Sequence, residues 1–201
     1  MGNTYHFGIG QGDVLVTPLQ VANMTQAIAN HGTLCQSSLL PVTQQNCRDL
    51  SIDEKNLDLV LSGMLSACSQ GGTAYPLFPY NSQLATVLDS NLSDGEKIER
   101  GMIACKTGTA EFGAADSQGY RQTHAWTTAI VGIDQEKLLN SPEDEEQKPL
   151  IKTKWLESIK THSFPKKIVI TVLVESNSDK IYSEGSQDAA PIIAQILEWM
   201  F

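Results

Sequence analysis

Met102-Ile103-Ala104-Cys105-Lys106-Thr107-Gly108-Thr109-Ala110-Glu111 is the stretch from which the fold is read. An apolar run leads into one cation, two hydroxyls and a glycine, a pattern that reads as a strand ending in a polar edge. Side chains alternate along a strand, so Lys106 is expected on one face and Thr107 and Thr109 on the other. Gly108 leaves the backbone bare for close approach. Such an edge suits an anionic, peptide-like ligand. The plainer alternative is a half-buried strand carrying a solvated lysine.

The wider segment favours the ligand edge. Lys106-Thr107-Gly108-Thr109-Ala110-Glu111 is followed, thirteen residues after Glu111, by His124-Ala125-Trp126. Together they resemble the third motif and next strand of the penicillin-binding proteins, specifically the monofunctional class B transpeptidases. That superfamily's motif set is S-x-x-K, a serine-to-asparagine motif and K-T-G. Only K-T-G is found here in a fitting frame. S-x-x-K occurs once, at Ser163-Phe164-Pro165-Lys166, where proline breaks the helix that must present serine and lysine together. No S-x-N occurs.

Composition bounds the remaining classes. The 201 residues are 41% hydrophobic, enough for one domain with a core. A net charge of −9 argues against nucleic acid as a partner, which requires clustered positive charge. No run approaches the apolar length of a membrane span, Met1 to His6 lacks signal-peptide character, and Phe7 stands where myristoylation needs Ser or Thr. Cys35, Cys47, Cys68 and Cys105 have neither C-x-x-C spacing nor paired histidines, so no metal and no cofactor are expected. Free buried thiols are the expected state, with a Cys35–Cys47 bridge as the alternative outside the cytoplasm. Cys105 reads as core filler.

Along the chain, Phe7-Gly8-Ile9-Gly10-Gln11-Gly12 lacks the third glycine of a dinucleotide loop, and Gly101 to Thr107 mimics a P-loop with Cys105 in the glycine position. Both nucleotide readings fail. Thr17-Pro18-Leu19-Gln20 is a capping box that predicts a helix from Pro18 to Asn30, stopped by Gly32. Ser51-Ile52-Asp53-Glu54 is a second box, ahead of a stripe of Leu57, Val60, Leu61, Met64, Leu65 and Cys68. That helix is expected to end at Gly71-Gly72. Residues 33–50 read as loop with at most a short extended piece, and Tyr75 to Glu99 as mixed and turn-rich.

Three β-rich runs, Met102 to Ala110, Ala125 to Ile133 and Ile168 to Glu175, are predicted to form one antiparallel sheet covered by a helix over Ala189 to Met200. The fold class is α+β. Between the last two runs, residues 134–166 form an insertion with the acidic run Glu143 to Glu146 and a short helix carrying Ile151, Trp155 and Ile159. Family members join these strands by a short turn, so the insertion is a departure.

The resemblance extends to Gly8-Ile9-Gly10-Gln11-Gly12, the Thr17 helix start, Gly72-Thr73-Ala74, Gly185 and Ala189-Ala190-Pro191. Of these, Thr73 is uninformative as chemistry, since a helix stop and turn explain it. The resemblance implies the C-terminal part of a transpeptidase-like domain over residues 1–201, cross-linking peptidoglycan stem peptides outside the cytoplasm and binding β-lactams. Cell-wall synthesis proteins and the missing N-terminal part of the domain are the implied partners. Lys106 would be a buried cation in the active site, supplying positive potential near the serine of the second motif. Thr107, Gly108 and Thr109 would bind substrate, the two hydroxyls gripping its terminal carboxylate, and the Thr109 N–H would be one oxyanion donor. Without its nucleophile the chain is expected to be inactive alone. A non-catalytic binding or scaffold protein that retained the fold is the second reading.

Overall fold

The computed structural model of the chain describes residues 2–39, 45–86, 88–133 and 166–200. Its centre is an antiparallel sheet of three strands, β3 (Ile103–Phe112), β4 (Gln122–Gly132) and β5 (Lys167–Val174), in that order. β1 (Thr33–Cys35) and β2 (Cys47–Asp49) form a separate short hairpin. Helices α1 (Gly2–Gly8), α2 (Pro18–Ala29), α3 (Glu54–Ala67), α4 (Phe78–Ala85), α5 (Asp94–Glu99) and α6 (Ala190–Met200) surround them. The expected α+β class and the pairing of the three runs both hold.

Strand alternation divides the core in two. Ile103 and Cys105 of β3 join Ala129 and Val131 of β4 in a cluster closed by Ile193 and Leu197 of α6. Met102, Ala104 and Ile130 point the other way, against Ala29, Leu61, Met64, Leu65 and Ile98 from the region of α2, α3 and α5. The sheet is thus buried on both faces near Ile103 and Val131. Toward Lys106 and beyond, β3 emerges into partial exposure, because the helices cover only its first half.

Local signals explain most helix limits. Thr17 accepts a hydrogen bond from Gln20 N–H while the Gln20 side chain takes the Thr17 N–H, which completes the predicted box. Gly32, at φ +87°, follows the helix end as a left-handed residue. The second predicted box does not form. Asp53 caps α3 instead, accepting from Lys55 N–H, while Ser51 adopts φ +53° and its N–H goes to Asp49. Asp53 is one residue from the helix and reaches the free N–H groups that Ser51 cannot. Val60 also departs from the expected stripe; it is exposed, lying outside the arc buried by Leu57, Leu61, Met64 and Leu65.

Residues 75–99, read as turn-rich, hold a 3-10 turn, α4 and α5. The Ser93 and Glu96 pair forms a complete capping box for α5. All four cysteines are paired, Cys35 with Cys47 and Cys68 with Cys105, which overturns the expectation of free thiols. Cys35 and Cys47 are direct cross-strand partners, whereas Cys68 caps α3 above β3. The helix ends there, at Ala67, ahead of the predicted stop at Gly71-Gly72. The 134–166 insertion leaves after Ile133, whose N–H bonds to the carbonyl of Lys166 on return. Its acidic run, its expected helix and Ser163 lie outside the described residues.

Candidate active site

Among the described residues β3 is an edge strand, and its odd residues turn their backbone outward. In an antiparallel ladder each residue's N–H and C=O point to the same side, alternating along the strand. Buried Asn81 fixes the phase: it accepts from Ile103 N–H at 2.8 Å and donates to Ile103 O at 2.8 Å, standing in for a neighbouring strand. Two and three steps on, at intervals of two residues, Thr107 and Thr109 follow the same direction. Lys106 Nζ donates to Thr107 O, and Gln11 Nε2 donates to Thr109 O at 3.0 Å. The Thr109 N–H therefore points off the free edge, as an oxyanion donor on an adding ligand would require.

Side chains sort as alternation predicts. Thr107 and Thr109 lie on the face of Cys105, and Lys106 on the face of Ala104. Lys106 is exposed, which corrects the expected buried cation: the helices that bury Ala104 stop short of it. Beside it on β4, Thr128 lies in a buried hydroxyl chain. Thr25 Oγ1 donates to Val21 O at 2.9 Å, so it accepts from Thr128 at 2.9 Å, which in turn accepts from Thr171 at 2.8 Å. This chain pins α2 over the strand that carries Lys106's neighbour. Nothing in the composition of α2 marked Thr25 for that role.

Gly108 faces Trp126 across the ladder, and a Cβ on it would meet the Trp126 Cβ at 3.4 Å. The constraint is stronger on the opposite side. Gly185 packs so closely that a Cβ there would stand 2.6 Å from Gly108 O and overlap Trp126 O, while Thr127 Oγ1 donates to Gly185 O at 2.8 Å. The expected glycine before the last helix thus braces the K-T-G glycine from behind. At the far end of the strand the His124 ring stacks on Phe112 with centroids 3.9 Å apart, and its buried Nδ1 has no partner among the described residues.

The turn after β5 is held by charge. Burial opposes ionisation of Asp188, but hydrogen bonds from Lys180 and the Glu184 N–H, with the lysine's charge, outweigh it and hold the carboxyl below the ordinary aspartate range. A depressed folded-state pKa stabilises fully above the unfolded value of about 3.9 and is lost as pH falls through the folded value. Acid titration followed by NMR should loosen the Gly185 turn below about pH 4, and Asp188→Asn should remove that pH dependence. An unchanged acid transition in Asp188→Asn would show that the turn is held by other groups.

Among the described residues no cluster of His, Cys, Asp and Glu could hold a metal ion, and no helix is long and apolar enough to cross a membrane. A family model for the penicillin binding protein transpeptidase domain matches residues 1–148. No curated protein matches the chain.

Proposed function

Since the chain belongs to the penicillin-binding protein transpeptidase family, whose domain model matches residues 1–148 of its 201, we propose that β3 is the substrate edge of a serine-type D,D-transpeptidase of the class B type. The family implies binding of peptidoglycan and β-lactams and an extracytoplasmic site of action. Two disulfides support an oxidising compartment, in accord with the periplasmic face of a cell membrane.

The outward backbone of Thr107 and Thr109 carries this reading. A stem peptide ending in D-Ala-D-Ala adds along the edge as a further strand, using these main-chain groups for affinity. Thr107 and Thr109 hydroxyls donate to its terminal carboxylate. Lys106, released from Thr107 O, supplies positive potential near the serine of the second motif. As that serine attacks, the Thr109 N–H receives the developing alkoxide charge, a contact whose loss typically costs about 3 kcal/mol. The acyl-enzyme is then resolved by an amine into a cross-link.

The serine and the S-x-N motif come from a further polypeptide segment that completes the domain. Tyr5, Phe7, Ile9, Leu15, Leu19 and Met24 expose apolar side chains on one stretch of the chain, more than a finished surface usually leaves bare. β5 supports this too, since its outer edge is unpaired among the described residues and all eight positions are only half-buried.

Intact-mass spectrometry with a fluorescent penicillin tests the proposal. The isolated chain is expected to gain no covalent adduct, and one adduct is expected when the chain is part of its native polypeptide or is supplied with the nucleophile-bearing segment. An adduct on the isolated chain, on Ser163 or any other serine, contradicts it. No adduct in either case would favour the scaffold reading.

A further inference from the structure

Thr73 follows α3 in the string Gly71-Gly72-Thr73-Ala74, and its hydroxyl lies 2.8 Å from the hydroxyl of Thr107, 34 residues along the chain. We propose that Thr73 is a positioning residue for carboxylate recognition, donating its proton to Thr107 Oγ1 so that the Thr107 proton is free to go to the ligand's terminal carboxylate. The inference rests on the substrate-edge reading of β3.

Hydrogen accounting gives the direction. Two hydroxyls in contact share one hydrogen, and each has only one to give. A carboxylate accepts and never donates, so a Thr107 bound to it has spent its proton there. Thr107 Oγ1 then satisfies Thr73 only as acceptor, and the chain runs from Thr73 to Thr107 to carboxylate. Each bond polarises the next, which strengthens the terminal one.

The mount of Thr73 is rigid, which a positioning role requires. Ala74 is fully buried and its N–H bonds to Ala67 O at 2.9 Å; Gly72 N–H bonds to Ser69 O at 2.9 Å. Gly71 takes φ +89°, and a Cβ on Gly72 would overlap the Ala67 carbonyl, so both glycines are needed for the turn to fold back on the helix end. This turn is then tied to β3 at three successive odd positions. Asn81 links Cys68 O to Ile103, the Cys68 disulfide links to Cys105, and Thr73 links to Thr107. The first two links are buried and structural. The third emerges at the exposed end, where Thr73 is open to solvent and to ligand.

Discrimination between an acid and its amide isolates the role. The native polypeptide carrying this chain is titrated, by NMR, with N-acetyl-D-Ala-D-Ala and with its C-terminal amide. The wild type is expected to prefer the acid, Thr107→Val to lose that preference, Thr73→Val to reduce it about 5-fold, and Thr73→Ser to restore it. If Thr73→Val loses its folded spectrum, Thr73→Ala is read in its place. A Thr73 variant that keeps the preference while Thr107→Val loses it overturns the role of Thr73 and leaves the substrate edge standing. Equal loss of affinity for acid and amide in the Thr73 variant reduces it to a structural contact and also overturns the proposal. If the wild type shows no preference, or if neither variant alters it, both the proposal and the substrate-edge reading fall.

Discussion

Lys106→Ala and Thr109→Ala, each made in the polypeptide that carries the nucleophile, should slow β-lactam acylation about 10²-fold or more. On the proposed reading, Lys106→Ala removes positive potential beside the serine of the second motif, and Thr109→Ala removes a hydroxyl that would grip the ligand carboxylate. Melting should barely move. Lys106 is exposed and donates to the neighbouring Thr107 carbonyl, so its removal is a surface change worth within about 0.5 kcal/mol. Acylation rates measured beside melting curves separate site from scaffold. Stability lost with acylation unchanged would mark a structural strand, and near-normal rates in both variants would end the assignment of β3 as the substrate edge.

Gly132→Ala should destabilise the fold by about 3 kcal/mol, near the upper range for overpacking. Gly132 closes β4 against the end of α5, where an added Cβ would overlap the Ile98 carbonyl oxygen and stand 3.1 Å from Gly101 N. Both obstacles are backbone. No rotamer change relieves them, so either α5 shifts and withdraws Ile98 from the core or the end of β4 unpairs from β3. Gly63→Ala on the exposed face of α3 is the contrasting control: nothing lies within 4 Å of its Cβ, and a helical alanine should stabilise by about 0.5 to 1 kcal/mol. Urea midpoints of the two variants should move in opposite directions. Equal midpoints for Gly132→Ala and wild type would mean that the contact with α5 yields without cost.

Elements with strong periodicity were readable before any coordinates. Expected from Met102, Ala125 and Ile168, the sheet strands begin at Ile103, Gln122 and Lys167, because β-branched and apolar runs mark half-buried strands. α2 was readable from its capping box together with its Gly32 stop. α4 and α5, at 8 and 6 residues, are too short for a periodic stripe to stand out, although Ser93 and Glu96 carried a local signal for α5. Chemistry was less legible than architecture. Lys106, Thr107 and Thr109 stand out as residue types at a strand end, and their faces followed from alternation. The long-range bonds around them did not: Asn81, Thr73, Gln11 and Thr25 reach Ile103, Thr107, Thr109 and Thr128 across 22, 34, 98 and 103 residues. A hydrogen bond between distant positions leaves no spacing to read. The Cys68–Cys105 pairing, 37 residues apart, was hidden for the same reason.

The Gln11 contact bears on the order in which the molecule assembles. β3 and β4 are joined by a short connection between Phe112 and Gln122, so their pairing is local and forms early. Thr109 O meets Gln11 across 98 residues, so this contact closes a far longer loop than the β3–β4 pairing. Contact order therefore favours pairing of β3 with β4 ahead of the Gln11 contact beside them. On the proposed reading, a ligand that adds along this edge competes with Gln11 for the Thr109 carbonyl oxygen.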